Sequence, residues 1–165
     1  DDLQDGLLTS FLRAAMAAIE GWTDNALISR SFLLTLQGWK SSDRQGFPVA
    51  PVSAVASVHL VDAAGTDTPV TSGWRLMKDM TEPALVAVAH PLASVPTGGV
   101  VEVRFTAGYG PAFTDVPADL RQAVLLLAAH YYEYRDETAL SDGCMPFGVT
   151  ALLSRYRKMR LGLGA

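Results

Sequence analysis

The run AVLLLAAHYY, from Ala123 to Tyr132, is apolar around most of a helical circumference, so a helix there must be covered on several sides. It opens with the signals of a helix start. Asp115 reads as the cap, Pro117 falls in the first turn where its missing N–H costs nothing, and Asp119 sits near the positive dipole end. A membrane cannot be the cover, because a spanning helix needs roughly 20 mostly apolar residues and this run passes straight into Arg135-Asp136-Glu137. The cover must come from the rest of the chain or from a partner subunit.

Just ahead lies VEVRFTAGYG, residues 101–110. Val101, Val103 and Phe105 alternate with Glu102, Arg104 and Thr106, the period of a strand with one wet face. Gly108 and Gly110 end that strand, since glycine takes positive φ at low cost, and Pro111 stops further pairing. The Thr-Ala-Gly-Tyr-Gly inside it is one residue from the filter of potassium channels, but a filter needs spanning helices beside it and the chain has none.

The remaining segments supply candidate covers. Residues Leu3 to Trp22 read as an amphipathic helix with Leu8, Phe11, Leu12, Ala15, Ile19 and Trp22 on one face. Strands are predicted from about Ile28 to Gln37, on both sides of the DAAGTD turn at 62–67, and at Trp74–Lys78, Ala84–Ala89 and Gly99–Ala107. The segment Lys40 to Pro51, with two prolines and a glycine, reads as an exposed loop. After SDGCMPFG breaks the long helix, a last short one runs from Val149 to about Leu161 with Val149, Leu152, Leu153, Tyr156 and Met159 on one side. No repeat or linker divides the 165 residues. The fold class is α+β: one domain over 1–165, with a helical body at about 1–25 and 115–161 flanking a central antiparallel β insertion at about 28–110.

Chemistry is harder to find. GWKSS at 38–42 lacks the leading glycine of a phosphate loop, and no Gly-x-Gly-x-x-Gly or Gly-x-Ser-x-Gly occurs. The single cysteine, Cys144, excludes an internal disulfide framework and a cysteine-based zinc site. His130 and Glu133 lie three apart on one helix face and could share a proton or a metal, which leaves open a small enzyme or binding module built on that face. Carboxylate-bridged metal pairs need two such helices, and the plainer reading is a polar stripe of Asp119, Gln122, His130, Glu133 and Glu137. His59 and His90, in or beside strands, read as structural. With a net charge of −4, the whole-molecule field does not draw the chain to nucleic acid or anionic membrane. Against that charge stands RYRKMR, Arg155 to Arg160, on an amphipathic last helix. It either offsets a helix dipole or docks in a groove of a larger partner.

Several stretches together resemble the head–tail connector (adaptor) proteins of tailed bacteriophages, including the adaptors of phage-like gene transfer agents. They are ALISRSFLLTLQGW (26–39), PVSAVASVHLVDAAGT (51–66), VEVRFTAGYG (101–110), VPADLRQAVLLLAAHYYEYRDE (116–137) and MPFGVTALLSRYRKMR (145–160), in that order and over most of the chain. The 40–51 loop departs from the family pattern, and the family carries a further helical segment ahead of Asp1.

The resemblance implies a structural virion or gene-transfer-agent component, assembled in the bacterial cytoplasm, with no enzymatic activity, cofactor, metal or membrane. It implies a ring of about twelve copies that matches the symmetry of the portal protein. DNA passes through the ring without sequence-specific binding, and the far side recruits a stopper or tail-completion protein. Portal docking by the C-terminal segment falls here on Leu152, Arg155, Tyr156, Arg157, Lys158, Met159 and Arg160. Gly108, Tyr109 and Gly110 are expected to be the hinge where the β insertion returns to the helical body, with Tyr109 as an amphipathic anchor.

Overall fold

The computed structural model describes residues 2–134 and 145–156. Helix α1 (Asp2–Thr23) leads into strand β1 (Arg30–Leu36), followed by β2 (Arg44–Gly46), β3 (Val52–Val61), β4 (Asp67–Pro69), β5 (Trp74–Met77), β6 (Ala84–Ala87) and β7 (Val100–Ala107). A 3-10 turn at Phe113–Asp115 then leads to α2 (Ala118–Glu133), and α3 (Phe147–Leu153) runs into a second 3-10 turn, Ser154–Tyr156. The α+β class read from the sequence is the class observed.

Two antiparallel sheets form the middle of the chain, one ordered β1-β7-β3-β4 and the other β2-β6-β5. The central strand β7 behaves as its alternation requires: Val101, Val103, Phe105 and Ala107 are buried while Arg104 faces solvent. Phe105 stacks on Phe32 at 5.4 Å between ring centroids and meets Phe47 at 4.6 Å, so aromatic contacts join the first sheet to the segment carrying β2. A second apolar cluster gathers Ala15 and Ile19 of α1, Leu120, Ala123, Val124 and Leu127 of α2, and Val149 and Leu153 of α3.

Four expectations need correction. The 40–51 segment is not simply an exposed loop. Gln45, Phe47 and Ala50 are buried, Gln45 accepts from the Lys40 N–H and donates to the Gly46 carbonyl, and β2 pairs with β6. Asp115 does not cap α2; its carboxylate accepts from the Ala112 N–H at 2.9 Å and closes the preceding 3-10 turn, leaving Pro117 as the N-cap without a side-chain bond. On α1, burial follows Ala15 and Ile19, but Leu8, Leu12 and Trp22 stay exposed because α2 covers only part of the apolar stripe. The last helix ends at Leu153 and tightens into a 3-10 turn, and its expected continuation to Leu161 lies outside the described residues beyond Tyr156.

Candidate functional site

The strand–glycine–helix passage is fixed by backbone contact. Gly108 has φ +127°, and a Cβ there would come within 2.5 Å of the Ser29 Cα and N and 2.6 Å of the Ile28 carbonyl carbon. Only glycine allows so close an approach in that conformation. The Gly108 N–H donates to the Pro51 carbonyl at 2.9 Å, the Tyr109 N–H to Leu27 at 3.3 Å, and the Ser29 N–H to Gly110 at 2.8 Å. The chain leaving β7 is thereby laced to the chain entering β1. At Gly110 a Cβ would collide with the Asp115 side chain. One further tie comes from α1: Glu20 Oε1 accepts from the Leu27 N–H at 2.8 Å and from Arg30 Nη1 at 2.9 Å, while Oε2 accepts from Arg30 Nη2 at 2.8 Å. The hydrogen bond to Glu20 holds the Arg30 guanidinium pKa above its ordinary value.

Beside this joint the C-terminal segment is clamped. The Tyr156 hydroxyl donates to Asp119 Oδ1 at 2.7 Å, the Leu120 N–H donates to the same oxygen at 3.0 Å, and Arg155 Nη1 lies 3.2 Å from Oδ2. That last contact is an ion pair only, since the buried Oδ2 makes no hydrogen bond. Burial, then the bond to Asp119 and its negative charge, push the Tyr156 hydroxyl pKa well above the usual tyrosine value, with Arg155 opposing. Tyr109 is shifted upward too, by burial and by Asp119. The two tyrosines, Asp119 and Arg155 line an open cleft of about 600 Å³ together with Asn25 and Met80.

The structure thus brings Tyr109 of the expected hinge next to Arg155 and Tyr156 of the expected docking segment. Leu152 is half-buried against the helical cluster, and Arg157, Lys158, Met159 and Arg160 lie outside the described residues. Asp119 is the residue the sequence reading misplaced. Read as dipole compensation and as part of a polar stripe facing water or an interface, it is the hub of the clamp, and its partner is 37 residues away, beyond the reach of any local signal. His130 meets the Tyr134 ring at 4.6 Å with the planes tilted by 46°, and no group of three or more metal-ligating side chains exists among the described residues. His59 Nδ1 lies 2.6 Å from Asp67 Oδ1 in an exposed pair. Among the described residues no helix is long and apolar enough to cross a membrane.

The arrangement defines a class of protein: a helical body whose C-terminal segment is clamped over α2 and which carries an antiparallel β insertion on a glycine joint. No family model and no curated protein matches the chain. Solved structures do. A chain in the neck of an empty gene transfer agent particle, computed with C6 symmetry, is 53% identical, with 98% of this chain and 82% of that one covered and a TM-score of 0.88. One in the neck of the native particle, computed with C12 symmetry, is 51% identical over 99% of this chain and 90% of that one, with a TM-score of 0.87. A third, from the virion of the native particle, is 51% identical over 97% and 81%, with a TM-score of 0.88. The protein belongs to the head–tail connector (adaptor) family, the structural neck proteins of tailed phages and gene transfer agent particles.

Proposed function

We propose that this protein is the ring-forming adaptor of a gene-transfer-agent-like particle, docked on the portal, carrying a stopper protein on its far side and leaving a central channel through which DNA passes without sequence-specific contact. The observation that carries this reading is the 51% identity, over 99% of the chain, to a protein of a neck with C12 symmetry. That symmetry supports a ring of twelve copies. The role is structural, with no catalytic step.

Docking on the portal falls to the C-terminal segment: Leu152, Arg155, Tyr156, Arg157, Lys158, Met159 and Arg160. The clamp supports this assignment. Tyr156 is fixed to Asp119 while the Arg155 side chain remains 72% exposed, so the first two residues of the basic run are held on the body with a cation facing solvent. A cationic, amphipathic segment on a protein of net charge −4 suits insertion into an acidic or apolar groove of a partner. Gly108, Tyr109 and Gly110 serve as the hinge between the β insertion and the body, with Tyr109 anchored beside the clamp.

Co-sedimentation with the portal encoded in the same gene cluster tests the reading, comparing the full chain with one ended after Tyr156, which keeps the Asp119 bond intact. The full chain is expected to pellet with the portal as a ring-sized complex and the shortened chain to remain in the supernatant. Failure of the full chain to bind an assembled portal overturns the adaptor reading, and equal binding by both chains overturns docking through residues 157–160.

A further inference from the structure

We infer that neighbouring copies of this chain meet through a knob and a groove on the helical body, with Phe147 of one copy seated in the cleft between α1 and α2 of the next. This rests on the ring reading above and names its contact face.

The groove, about 330 Å³, is lined by Leu8, Phe11, Leu12, Ala128, Ala129 and Tyr132, with no charged group among them. Within that lining Phe11 meets the Tyr132 ring edge-on at 6.2 Å. Leu8 of the lining is 41% exposed, and Leu7, one turn before Phe11 on α1, and Leu125, one turn before Ala128 and Ala129 on α2, are exposed as well. This is the part of the α1 apolar stripe that the fold leaves uncovered. Contiguous apolar surface of this kind marks an interaction site more than a scatter of single side chains does. Phe147 is the complement: at 88% it is the most exposed of the large hydrophobic side chains among the described residues, and it is flanked by the uncharged Met145, Pro146 and Gly148.

Placement favours a second copy of this chain as the occupant. In a cyclic ring every subunit presents two different faces, one to each neighbour, so a pocket and its complement must lie on separate sides of the same molecule. Both α1 and α3 pack on α2. Asp119, which holds the 3-10 turn after α3, and Tyr132, in the groove, are 13 residues apart, which at 3.6 residues per turn sets them about 140° apart around α2. The groove and the turn that follows α3 therefore lie on different flanks of α2, with Phe147 at the far end of the short helix that this turn closes. Had both apolar features shared a flank, the contact would suit a two-fold pair instead.

The experiment uses the full chain and its portal, with Leu12→Asp and Phe147→Asp as separate variants, and counts copies per portal after co-sedimentation. Both positions are exposed, so each variant is expected to melt with the parent while its copies per portal fall at least tenfold. Parent-like counts for both variants overturn the knob-and-groove contact and leave the ring reading standing. Failure of the parent itself to load an assembled portal overturns the ring reading and the contact with it. A second measurement covers loss of folding: in a Cys144→Ser chain carrying Leu12→Cys and Phe147→Cys, oxidation on the portal should give a ladder of covalent multimers, and monomers alone overturn the contact.

Discussion

The glycine joint at 108–110 and the clamp at Asp119 lie side by side, share Tyr109 as a neighbour, and hold by different physics. The joint is a matter of exclusion: three backbone hydrogen bonds close only because nothing projects from Gly108 toward Ser29. The clamp is a matter of attraction, with one carboxylate gathering a hydroxyl, an amide and a guanidinium around it. A steric joint fails abruptly when a single methyl group is added, whereas an electrostatic clamp can lose partners one at a time. That difference suits their places in the chain, one joining two cores and the other holding the first residues of the segment proposed to dock.

Gly108→Val should have the largest effect. It places a β-branched side chain at φ +127° and within 2.5 Å of the Ser29 backbone, combining the two causes that push a substitution past about 4 kcal/mol. The expected outcome is loss of soluble expression, and unchanged thermal unfolding would show that the joint yields. Asp119→Ala comes next. It removes the acceptor of Tyr156 and Leu120 and the ion-pair partner of Arg155, and hydrogen bonds to charged groups contribute about 1.5 to 3 kcal/mol. Denaturant unfolding should show that loss with the m-value kept, since the folded body still buries its apolar cluster. A neutral outcome would reduce the clamp to a surface contact.

The two regions also differ in how much of them a reader of sequence can see. The joint is legible because its signals are local: alternating Val101, Val103 and Phe105, two glycines and a proline within eleven residues. The α2 helix is legible for the same reason, as is the position of every strand except β2. The clamp is not, because Asp119 and Tyr156 are related by packing alone. Asp119 in the first turn of a helix reads equally well as dipole compensation. The buried 40–51 segment escapes for a related reason, since Gly46 and Pro48 signal a turn while the burial of Phe47 depends on Phe105. The exposed stripe on α1 is the converse case: periodicity at Leu8 and Leu12 shows that a face is apolar, but not whether its cover comes from the same chain.

Tyr156→Phe probes the clamp alone, and at neutral pH should cost about 1 kcal/mol for the lost hydroxyl bond. Alkali separates it further from the joint. Burial and Asp119 make the folded state hold the Tyr156 proton more tightly than the unfolded chain does. The stability this gives is therefore fully present below the ordinary tyrosine value near 10 and is lost as pH rises through the higher folded value. The parent should lose stability above pH 10, and Tyr156→Phe should lose less of it over the same range, with Tyr109 supplying the remainder. Identical alkaline profiles would mean that the Tyr156 hydroxyl does not rest on Asp119 in solution.

Arg155→Ala should have the smallest effect on folding. Its side chain is 72% exposed and meets Asp119 as an ion pair at 3.2 Å without a hydrogen bond to Oδ2, so screening by water leaves it less than about 1 kcal/mol. Salt near 1 M, where the Debye length falls to about 3 Å, should erase even that difference. The same substitution removes one of the cations proposed to meet the portal, and there the expectation reverses: a melt close to the parent, with weaker co-sedimentation. An Arg155 that acts in docking shows its loss only when the partner is present. An equal loss in melting and in binding would instead assign the residue to the clamp and leave docking to the cations beyond Tyr156.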